Sequence, residues 1–76
     1  MQYEFIREIF NECANNQMRD IFFDDVETDN PDEYIKQFLV GSKFNVSKDC
    51  RPNGIIIFDV DVNGLLQRYT FTPNDN

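Results

Sequence analysis

Asn63-Gly64 constrains this chain more than any other pair of residues, because it sits between two β-rich runs, IIIFDVDV and LLQRYTFT. A two-residue hairpin turn needs positive φ at both central positions, and asparagine followed by glycine tolerates that best. So short a turn leaves one register. Val62 is expected to face Leu65, Val60 to face Gln67, Phe58 to face Tyr69 and Ile56 to face Phe71. All of these but Gln67 are apolar, so they define one buried face. The other face then pairs Asp59 with Arg68, Asp61 with Leu66 and Ile57 with Thr70.

Upstream, Arg51-Pro52-Asn53-Gly54 reads as a type I turn closed by a glycine bulge. Pairing Arg51 with Ile55 sets Phe44, Val46 and Cys50 against Val62, Val60 and Ile56, on the buried face. Without the bulge Phe44 would oppose Asp61, so the hydrophobic pattern selects the bulge. Residues 44–72 are therefore expected to form a three-stranded antiparallel meander.

Asn30-Pro31-Asp32-Glu33 reads as a helix start. Asn30 caps, Pro31 takes the first helical position and Glu33 can close a capping box. That helix is expected to run to about Val40 and stop at Gly41, burying Tyr34, Ile35, Phe38 and Leu39, with Asp32 and Lys36 paired on its wet side.

Tyr3 to Ala14 also reads as a helix. Tyr3, Ile6, Ile9, Phe10 and Cys13 recur at three- and four-residue spacing, and Glu4, Glu8 and Glu12 line the opposite side. Three glutamates four residues apart oppose that helix slightly. Arg19 to Thr28 is read as a strand, since Ile21, Phe22, Phe23 and Val26 suit a sheet. The expected fold class is thus α+β: one small two-layer domain over residues 1–76, ordered α-β-α-β-β-β, with two helices on one face of the meander and a frayed tail at 73–76. The alternative makes residues 18–26 helical, giving α-α-β-β-β.

A chain of 76 residues holds one domain with a thin core. The opening residues, MQYEFIREIF, are amphipathic and acidic, unlike a secretory leader, and no apolar run is long enough to span a membrane. A cytoplasmic protein is expected. Cys13 and Cys50, both on predicted core faces, are read as buried free thiols.

Residues 1–33 carry ten carboxylates against two arginines, −8 in all, while residues 34–76 come to +1. Such a field repels nucleic acid and anionic membrane and attracts basic surfaces. The chain has no histidine, and its three glycines all fall at helix or turn ends, so the commonest general base and any phosphate loop are missing. Asp59-Val-Asp61-Val-Asn63-Gly64 opens like a calcium loop, but Thr70 stands where the bidentate glutamate belongs.

These features point to a small acidic binding protein rather than an enzyme: an accessory, inhibitor or regulator working through protein contacts, acidic mimicry of nucleic acid being one version. No cofactor or metal is expected. The alternative is a metal-binding protein using aspartates of the acidic segment or the hairpin. The candidate contact residues are Asp20, Asp24, Asp25, Glu27 and Asp29, the stripe Glu4, Glu8 and Glu12, and the outer hairpin residues Ile55, Ile57 and Leu66. The expected partner is a protein with a basic surface, and a homodimer is compatible with the same features. Plain solvation of an edge strand is the simpler account of the acidic run.

Overall fold

The computed structural model describes residues 1–13, 16–41 and 43–74, with side chains described outside 11–13 and 16–19. Five strands, β1 (Gln2–Cys13), β2 (Asn16–Glu27), β3 (Phe44–Cys50), β4 (Ile56–Val62) and β5 (Leu65–Pro73), form one antiparallel sheet in the order β2-β1-β5-β4-β3. One short helical segment covers one face. It comprises α1 (Pro31–Ile35) and a 3-10 turn at Lys36–Phe38.

The two-helix α+β expectation is therefore wrong, because residues 2–13 form a strand. That strand pairs with β2 on one side and β5 on the other. Its apolar residues fall on both faces of the sheet. Tyr3 and Phe5 point under the helix and are buried. Ile6 and Phe10 occupy the alternate positions, on the opposite face. Apolar residues on both faces of a strand imitate a helical stripe, and the two long-range ladders outweigh that local signal. The alternative with residues 18–26 helical fails too, since β2 runs through them.

The hairpin registers follow expectation. Val62 pairs with Leu65, Asp59 with Arg68 and Ile56 with Phe71. Asn63 has φ 53° and Gly64 φ 87°, the left-handed values the turn requires. Phe44 pairs with Val62 and Cys50 with Ile56. Gly54 has φ 85°, and Arg51 N donates to Ile55 O at 2.8 Å.

The core joins the sheet to the helix. Tyr3, Phe5, Val26, Phe58, Val60, Tyr69 and Phe71 pack with Ile35 and Leu39. Phe5 is its hub, with ring centres at 4.9 Å to Phe71, 5.4 Å to Tyr34 and 5.9 Å to Phe38. Edge-on, tilted and stacked rings at such spacings add to the apolar burial itself. The helix begins as expected, with Asn30 Oδ1 accepting from Glu33 N at 3.3 Å and Pro31 in the first turn. It ends earlier than expected: Lys36–Phe38 tightens to a 3-10 turn and Val40 is exposed. The capping box is replaced, since Asn30 N donates to the Thr28 hydroxyl and Glu33 pairs with Lys36. Asp32 pairs with Lys48 of β3 instead of Lys36, tying the helix to the far side of the sheet.

So short a helix leaves β3 bare. Phe44 and Val46 lie on the helix-bearing face by register, yet they remain 45% and 40% exposed. Cys50 is exposed, not buried as expected, and Cys13 lies outside the residues whose side chains are described. Pro73 closes β5, and Asn74 N donates to Gln2 O at 3.0 Å. Residues 75–76, the rest of the tail expected to fray, lie outside the described residues. No helix among the described residues is long and apolar enough to cross a membrane.

Candidate functional site: the open face of the sheet

The helix covers one face, and among the described residues no element packs on the other. Strand alternation assigns that open face. It carries Glu4, Ile6, Glu8 and Phe10 from β1 and Ile21, Phe23, Asp25 and Glu27 from β2. It also carries Leu66, Arg68 and Thr70 from β5, and Ile57, Asp59 and Asp61 from β4. Phe23 is 69% exposed and Leu66 55%. The register sets Ile6 opposite Phe23 and Thr70, and Thr70 opposite Ile57, so a largely apolar band crosses the sheet from β2 to β4 with one threonine in it.

Carboxylates flank this band. Glu4 lies directly opposite Asp25, two like charges in one cross-strand pair, which is unfavourable for the sheet. Asp59 accepts from Arg68 Nε at 2.8 Å, and this hydrogen bond, with the carboxylate's charge, pushes the guanidinium above its ordinary pKa; Glu8 adds to the shift. Asp61 Oδ1 accepts from Gly64 N at 2.8 Å and holds the turn. Where the β1–β2 hairpin runs past the end of the β1–β5 ladder, Phe10 and Leu66 flank a groove of about 470 Å³ that also includes Asp59, Asp61, Ser47 and Arg68.

The structure divides the residues singled out in the sequence. Glu4, Glu8, Asp25, Glu27, Ile57 and Leu66 come together on the open face. Asp20 and Asp24 fall on the other face, at the register positions of Ile9 and Phe5, so the acidic run is not one surface. Asp29 binds the Met1 ammonium at 3.1 Å. Ile55 is half-buried in the turn before β4. Glu12 falls on β1, and its side chain lies outside those described.

Ile6, Phe10, Ile21 and Phe23 were not expected here, because reading residues 3–14 as a helix buried Ile6 and Phe10. The alternation of Glu4, Glu8 and Glu12 with Tyr3 and Phe5 was the available signal. Among the described residues no group of three or more carboxylates or thiols is placed to hold a metal ion, and Asp59 and Asp61 of the calcium-like segment already have partners. Comparison with known proteins gives no match: no family model, curated protein or solved structure aligns significantly with this chain.

Proposed function

We propose that this is a non-enzymatic binding domain whose open sheet face docks a protein partner, one presenting apolar side chains ringed by lysine or arginine. The supporting observation is the pairing of Glu4 with Asp25 beside Ile6 and Phe23. A sheet gains nothing from like charges set across a ladder, nor from a large phenylalanine left in water. A basic, partly apolar surface relieves both. The apolar band supplies affinity, and the carboxylates speed encounter and fix orientation.

The test compares capture from the native host by wild type, Phe23→Lys, the pair Glu4→Gln/Asp25→Asn, and Asp24→Asn on the other face. Phe23→Lys is expected to abolish capture of any specific partner. Glu4→Gln/Asp25→Asn is expected to slow association and weaken its salt dependence, and Asp24→Asn to change neither. A partner held equally well by all four proteins would refute the open face as the contact.

A further inference from the structure

We propose that the chain forms a homodimer by antiparallel pairing of β3 with β3 of a second copy, through a two-fold axis normal to the sheet at Val46. The result is a ten-stranded sheet with both helices on one side. The contact is the edge of the sheet; Asn45, Ser47 and Asp49 of β3 also belong to the open face by register, but the pairing does not depend on the binding reading given to that face.

The backbone is set for it. Asn63 N donates to Lys43 O at 3.0 Å and Arg51 N to Ile55 O at 2.8 Å, so the odd-numbered residues of this segment turn their peptide groups toward β4. Phe44, Val46, Lys48 and Cys50 therefore turn theirs outward. The whole of β3 is exposed and is an edge of the sheet. A bare edge of this kind is a template for another strand unless something blocks it.

The side chains then choose the register. With Val46 opposite Val46 of the second copy, Phe44 meets Lys48, Asn45 meets Ser47 and Lys43 meets Asp49. Each pair is matched: apolar with apolar, ring with ammonium and its stem, amide with hydroxyl, cation with carboxylate. Sliding the axis to Ser47 sets Lys43 against Arg51 and Val46 against Lys48. Hydrogen bonding admits both axes, and charge favours the one at Val46 over the one at Ser47.

The other edge lacks this self-complementarity, although Ile21, Phe22 and Phe23 are all exposed there. An axis at Phe22 sets Asp20 against Asp24. An axis at Phe23 sets Asp24 against Phe22 and Asp25 against Ile21, and an axis at Ile21 sets Asp20 against Phe22. Charge guards β2 in each of these registers. In a chain of net charge −7, residues 43–51 hold Lys43, Lys48 and Arg51 against Asp49 alone, so self-repulsion is least at β3.

Sedimentation equilibrium tests this. Wild type is expected at twice the 9.0 kDa chain mass. Val46→Pro removes an outward N–H that β4 does not use, on an edge strand that tolerates proline, and is expected to give folded monomer. Lys43→Asp and Asp49→Lys each set like charges across the axis and are expected to shift toward monomer. Mixed one to one, the two variants set a carboxylate against an ammonium at both ends of the contact and are expected to recover the dimer mass. Monomeric wild type at its highest soluble concentration would overturn the proposal. So would a dimer that survives Val46→Pro with the charge variants behaving like wild type, since its contact would then lie elsewhere.

Discussion

The guanidinium carbon of Arg7 lies 4.5 Å from the centre of the Phe38 ring and 5.9 Å from that of Tyr69, while its Nε is buried without a hydrogen-bond partner. A cation over aromatic faces gains about 0.5–2 kcal/mol. A buried, unpaired donor costs about 1–3 kcal/mol. The second effect is the larger, so Arg7→Met, similar in length and able to pack on the same rings, is expected to match or exceed wild-type stability in urea denaturation. A loss above about 2 kcal/mol, beyond the usual cost of a packed substitution, would show that the ring contacts dominate.

Tyr69 leads to a pH dependence. Burial raises its phenol above the ordinary 10.0, with the Arg7 charge pulling it back. The folded state thus favours the neutral ring. Its contribution is fully present below pH 10.0 and is lost as the pH rises through the folded value. Urea midpoints are expected to hold steady up to about pH 10.0 and to fall above it. Tyr69→Phe should reduce the alkaline fall. At neutral pH it should cost about 1 kcal/mol, because Gln67 Oε1, which accepts the phenol proton at 2.6 Å, loses its donor. An unchanged alkaline limb in the variant would mean that another group governs it.

Gly54 and Gly64 both have left-handed φ, 85° and 87°, but their surroundings differ. A Cβ on Gly64 meets nothing within 4 Å, whereas one on Gly54 comes within 3.1 Å of Pro73 Cγ. Gly64→Ala should cost about 1–2 kcal/mol for conformation alone. Gly54→Ala should cost more, since the Pro73 ring must also move. Equal midpoints for the two would mean that the chain end beside Gly54 yields freely.

Cys50 is exposed and free. Iodoacetamide applied to the native protein is expected to alkylate it at a rate near that of an unstructured thiol. Mass spectrometry of the peptide containing residues 43–51 reads this directly. Slow labelling of both wild type and Val46→Pro would show that the chain itself covers the thiol.

The parts of the fold legible in the sequence were those set by short-range rules. Asn63-Gly64, Gly54 and Asn30-Pro31 each dictate a local geometry, and the Asp59–Arg68 pair follows from the first of them. β1 was not legible, because its partners are β2 and the distant β5, and because Ile6, Ile9 and Phe10 have the spacing of a helix. That one misreading hid the site as well. Ile57 and Leu66 were recognised as an outer patch, while the residues completing it, Ile6 and Phe23, depend on β1 being a strand. Reading residues 19–28 as a strand already sends Asp24 to one face and Asp25 to the other, but which of the two faces stays open depends on β1.

Because β1 lies between β2 and β5, Phe5 cannot reach Phe71 or Tyr69 until almost the whole chain is present. The β1–β2 hairpin and the β3–β4–β5 meander are each local, and hairpins of this kind form in about 1–10 μs. Joining them pairs residues some sixty apart in sequence, with an entropic cost that neither piece repays alone. The molecule should therefore fold as two ribbons zipped along a single late seam. Substitutions at Phe5 or Phe71 should lower the refolding rate, and those at the Asn63-Gly64 turn should act before the seam is reached.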